Sequence, residues 1–91
     1  MTKQEFNDLY DSVYYGHDAE LEIKGQHFFI EWTDVGLEVY ALNNNKGIKI
    51  AYISSESREK CDVLTELFDF EFVEKMNLYG SYGEMTIIDI E

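Results

Sequence analysis

The sequence contains no proline and a single cysteine, Cys61. A lone thiol rules out an internal disulfide, and the lack of proline agrees with regular secondary structure throughout. Basic residues are scarce. Seven Lys and Arg face nineteen Asp and Glu, for a formal charge of −12. So few cations cannot neutralise a phosphate backbone, which argues against direct nucleic-acid binding, and the same deficit argues against an anionic membrane surface. No apolar run approaches the length of a membrane span. Met1 to Tyr15 mixes charges throughout, without the apolar stretch of a secretory signal. A cytoplasmic location is the expectation.

Motifs that would fix a chemistry are missing as well. There is no glycine-rich phosphate loop, no nucleophile elbow, and no CxxC, HxxxH or HExxH pattern around Cys61, His17 or His27. The run Asn43-Asn44-Asn45-Lys46-Gly47 lacks the spaced carboxylates and closing Glu of a calcium loop and reads as a turn. No metal, cofactor or catalytic residue is implied, and the chain is read as a non-enzyme. Glu20 and Glu22 would suit glycoside hydrolysis in principle, but outward carboxylates alternating along a strand are commoner as solvated residues.

What is present suffices for one folded domain over residues 1–91. Apolar residues make up 45% and aromatics 15%, too many for a disordered acidic tail. Thr2-Lys3-Gln4-Glu5 fits a capping box. Phe6, Leu9, Tyr10 and Val13 follow at helical spacing, and Gly16 is a stop. From Ala19 the period becomes two: Ala19, Leu21 and Ile23 alternate with Glu20, Glu22 and Lys24. After a turn at Gly25, Phe28 to Trp32 reads as a second strand, Leu37 to Leu42 as a third and Ile48 to Ile53 as a fourth. Short connections favour an antiparallel meander.

Ser54 or Ser55 is the expected cap of a second helix with Cys61, Leu64, Leu67 and Phe68 on its apolar face, which makes Cys61 a buried inert thiol. Asp69 to Met76 fits either a strand or a helix, and a short helix capped by Asp69 is preferred. Gly80 to Gly83 reads as a loop and Met85 to Ile90 as a last strand. The fold expected is α+β: an antiparallel sheet of four to five strands, with an N-terminal helix and a second helix packed on one face.

The acids are unevenly placed. From Glu5 to Ile23 there are six and no Lys or Arg; from Cys61 to Glu91 Lys75 is the only base. Glu59, Asp62 and Glu66 fall on one helical stripe, where neighbouring carboxylates lie roughly 5–6 Å apart, close to phosphates along a nucleic-acid strand. The candidate binding residues are therefore Glu59, Asp62, Glu66, Asp69, Glu71 and Glu74, with Glu20 and Glu22 second. Tyr14, Tyr15, Tyr79 or Tyr82, if exposed beside them, would serve as anchors.

The segment Tyr15-Gly16-His17-Asp18-Ala19-Glu20-Leu21-Glu22-Ile23-Lys24-Gly25-Gln26-His27-Phe28-Phe29-Ile30 resembles the opening hairpin of small uncharacterised acidic proteins of low-GC Gram-positive bacteria and their prophages. In size and charge the chain is also similar to phage anti-CRISPR and anti-restriction inhibitors, several of which are DNA mimics. That likeness is one of type, without a shared motif. It implies acids placed in the DNA-binding groove of a nuclease. The leading expectation is an acidic protein that inhibits a basic partner, most sharply a bacterial defence nuclease. The alternatives are an immunity-type protein against a cationic toxin and a structural or homodimeric domain.

Overall fold

A computed structural model describes residues 2–43, 46–73, 76–80 and 82–91. The capping box forms: the Glu5 amide donates to the Thr2 hydroxyl at 3.1 Å and the Thr2 amide donates to the Glu5 carboxylate at 3.0 Å. Helix α1 (Lys3–Tyr14) follows, burying Leu9 and Val13. Gly16, at φ +95°, takes the chain out of the helix in a conformation that favours glycine.

Four strands come next: β1 (Ala19–Ile23), β2 (Gln26–Thr33), β3 (Gly36–Asn43) and β4 (Lys46–Ser54). Lys24 and Gly25 both have positive φ, 51° and 78°, the backbone of a tight hairpin turn whose twist matches its strands. After helix α2 (Lys60–Asp69) and a 3₁₀ turn at Tyr82–Glu84, strand β5 (Met85–Ile90) returns beside β1. The spatial order is β4-β3-β2-β1-β5 and every pairing is antiparallel. This is the α+β class that the sequence pattern predicts.

Both helices pack on one face of the sheet. Leu21, Ile23, Phe28, Ile30, Leu37, Val39 and Ile53 point toward Leu9, Val13, Leu64, Leu67 and Phe68, all within one buried cluster. Trp32 ties the layers: its indole N–H donates to the Val13 carbonyl at 2.6 Å, and its amide donates to the Asp18 carboxylate at 3.0 Å. Lys60 lies over the rings of Tyr14 and Trp32, 5.5 and 5.8 Å from their centroids. Among the described residues, no helix is long and apolar enough to cross a membrane.

Four local expectations are corrected. Helix α2 is capped at Glu59, without a side-chain cap, and not at Ser54 or Ser55. Those serines belong to the end of β4 and the turn behind it, where the Ser55 amide donates to the Val35 carbonyl and the Glu56 amide to the Ser54 hydroxyl. Cys61 is exposed, not buried, because the inward stripe is Val63, Leu64, Leu67 and Phe68 and Cys61 falls on its flank. The short helix expected from Asp69 does not form among its described residues. Phe70 turns extended, and Val73 and Met76 form an isolated bridge. Phe72 is thereby set edge-on against Phe28, with ring centroids 5.2 Å apart. Finally, the end of the expected loop over residues 80–83 runs into a 3₁₀ turn, Tyr82–Glu84.

Candidate functional site

Two acidic surfaces emerge, on opposite sides of the molecule. The first is the outer side of α2. With Val63, Leu64, Leu67 and Phe68 inward, Asp62 and Asp69, two turns apart, face directly away from the core, and Glu66 flanks them. Glu59 precedes the helix and Glu71 follows it, and all five are exposed. Glu66 is answered by Arg58, whose Nη1 lies 3.0 Å from its carboxylate and also donates to the Ser54 carbonyl at 3.1 Å. Among the described residues the carboxylates of Glu59, Asp62, Asp69 and Glu71 have no cationic partner. Glu74 lies outside the described residues.

The second surface is the sheet face that the helices leave uncovered. Strand alternation places Glu20 and Glu22 there, so they do not join the α2 set. Glu22 sits opposite His27, and Glu20 opposite Phe29. The His27 ring bridges both acids: Nδ1 lies 3.4 Å from Glu20 and Nε2 lies 3.2 Å from Glu22. Its two nitrogens thus face different carboxylates instead of converging on one point. Among the described residues no group of three or more His, Cys, Asp or Glu is placed to hold a metal ion.

Further along this face Glu31 lies directly across from Glu38, a like-charge pair that opposes strand pairing. Lys49 relieves it. Its ammonium is 2.6 Å from Glu38, and the Tyr40 hydroxyl donates to the same carboxylate at 2.8 Å. The hydrogen bond from Lys49, then that from Tyr40, holds the Glu38 carboxyl below the usual glutamate range. The same bond to Glu38 raises Lys49 above the ordinary lysine value, and the Tyr40 phenol is raised by its bond to Glu38.

The roles of His27, Glu31, Glu38 and Lys49 were not foreseen from the sequence. The signal lay in hairpin symmetry: Glu22 and His27 are equidistant from the Lys24–Gly25 turn, and Glu31 and Glu38 from the Asp34–Val35 turn. Of the candidate anchors, Tyr15 is 74% and Tyr79 50% exposed, while Tyr14 is half-buried against Tyr10. No family model matches the chain, and no curated protein or solved structure matches it either.

Proposed function

We propose that this chain is a non-catalytic acidic protein that binds and inhibits a partner through the partner's basic surface. The supporting observation is the outer side of α2, where the exposed carboxylates of Glu59, Asp62, Asp69 and Glu71 have no cation of their own among the described residues. Internally paired acids such as Glu38 gain little from a new cation; unpaired ones gain a charge-assisted bond with Lys or Arg. The sharper form of the reading is mimicry of a nucleic-acid strand, with α2 in the DNA-binding groove of a bacterial defence nuclease, as in anti-CRISPR inhibition.

The test compares the wild type with a triple charge reversal, Glu59→Lys, Asp62→Lys and Asp69→Lys. Each is immobilised, exposed to bacterial lysate at low salt and eluted with rising salt, with mass spectrometry of the eluate. The expected result is a nucleic-acid-binding protein captured by the wild type alone and released early in the gradient. A purified captured nuclease should then lose DNA binding when the protein is added. Identical capture by the charge-reversed variant, folded by circular dichroism, would overturn the proposal.

A further inference from the structure

Strand β4 ends the sheet, so one side of its backbone has no neighbouring strand. Such an edge offers N–H and C=O groups to any extended chain that reaches it, and edges are usually guarded by brevity, charge or a bulge. Here the strand is nine residues long. Ile48, Ile50 and Tyr52 on it are 60%, 38% and 47% exposed. Lys49, placed to guard its middle, is drawn over the sheet face to Glu38. A register shift opposite Val39 and Tyr40, which leaves Ile50 without a partner, is the guard that remains mid-strand.

Beside the second half of β4, the strand and α2 enclose a shallow cleft of about 370 Å³, lined by Ala51, Tyr52, Ile53, Glu66, Asp69 and Phe70. Its floor is apolar. Its wall carries two carboxylates at the C-terminal end of α2, where the helix dipole is negative and cations are favoured. No basic residue lines it, and Asp69 has no cationic partner among the described residues.

We propose that the β4 edge accepts an extended segment of a partner protein as a sixth strand, with both apolar and basic side chains of that segment on its cleft side. The apolar ones rest on Ala51, Ile53 and Phe70, and a Lys or Arg meets Asp69, since Glu66 is already held by Arg58. A second copy of this chain fits worse. Two chains of charge −12 repel. The bulge also sets Ile48 toward the helix side and Tyr52 toward the open face, opposite Ala41 and Glu38 respectively. Two-fold pairing about Ile50 would oppose side chains that point to different faces. This inference stands on an edge and a cleft; it shares Asp69 with the outer side of α2 but uses none of Glu59, Asp62 or Glu71.

The probe is the peptide acetyl-Lys-Thr-Val-Thr-Lys-Thr-Val-amide, which places Lys and Val on one face. Its controls are the same peptide with Glu for Lys, and one N-methylated at every residue, which keeps the charge but has lost the strand N–H groups of both edges. Binding is read from backbone amide shifts of the ¹⁵N-labelled protein. The Lys peptide is expected to shift the amides of residues 48–54 and to bind at least about tenfold more tightly than either control. Asp69→Asn should lower its affinity about tenfold, while Glu59→Gln and Asp62→Asn leave it unchanged. Equal binding of the N-methylated peptide, or shifts confined to other surfaces, would overturn the proposal. So would a dimer in sedimentation that Ile50→Lys dissolves, since a second copy would then occupy the edge.

Discussion

Replacing Phe68 with alanine removes the ring that joins α2 to the rest of the core. The ring is fully buried and meets Phe6, Tyr10 and Tyr79 at centroid separations of 5.4, 5.2 and 5.7 Å. Burying such a side chain stabilises by about 1.5–3 kcal/mol, and each favourable ring pair adds about 0.5–1.5 kcal/mol. Alanine leaves a cavity that α1 fills only in part, since Phe6 and Tyr10 sit at the rim of the core and can lean inward. The expected loss is therefore about 3–4 kcal/mol, the lower part of the range for buried Phe→Ala changes. Urea unfolding followed by the fluorescence of Trp32, the only tryptophan, would report it. With a slope of about 1.5 kcal/mol/M the midpoint should fall by about 2–3 M. The melting temperature should drop by about 12–30 °C. Phe68→Leu keeps most of the volume and should lose less than about 1.5 kcal/mol. An alanine loss below about 1 kcal/mol, equal to that of leucine, would show that the ring does not fasten α2.

A Cβ on Gly36 would lie inside van der Waals contact of the Ile53 carbonyl oxygen, a backbone atom that cannot swing away. Gly36→Ala should therefore destabilise by about 1–3 kcal/mol in the same urea assay, and a neutral result would mean that β3 and β4 part easily. Glu38 is held below the usual glutamate range. Its contribution is complete above the free-glutamate value and fades as pH falls through about 4.3 toward its folded value. Lys49 is raised, so its contribution is complete below the free-lysine value and fades as pH rises past about 10.4. Stability against pH should thus decline at both ends, and Glu38→Gln should flatten both declines relative to the wild type; unchanged curves would refute the coupling. Cys61 is exposed, so a maleimide should label it fully in native buffer. Labelling that needs denaturant would contradict its position on α2.

Legibility in the sequence followed the range of the interactions. The Thr2–Glu5 capping box and the alternation of Ala19, Leu21 and Ile23 are local, and both formed as read. The start of α2 was not legible, because Ser54 and Ser55 have the right chemistry for a cap but are held by β4 and by Val35 across the hairpin. Phe72 and Val73 show the reverse. Their helical spacing to Met76 was locally plausible, but extended backbone there lets Phe72 reach Phe28 and lets the Leu78 amide satisfy the Phe68 carbonyl at 3.1 Å. The acids of α2 were found because one helix carries them. That Glu20 and Glu22 lie on the other side of the sheet depends on which strand face the helices cover, and the sequence had named them in one set with α2.

The closing of the sheet by β5 bears on how the chain is made. His17 and the Glu91 carbonyl, 74 positions apart, are in contact, and Asp18 and Glu91 exchange two backbone hydrogen bonds. As the polypeptide leaves the ribosome, β1 to β4 can zip together hairpin by hairpin from neighbouring segments. The outer edge of β1 stays bare through all of that, until α2 has crossed the sheet and β5 has been delivered. A nascent sheet in that condition presents the side of β1 that the finished fold gives to β5, and it is in that interval, before β5 arrives, that the chain is most open to capture by chaperones or by its own neighbours.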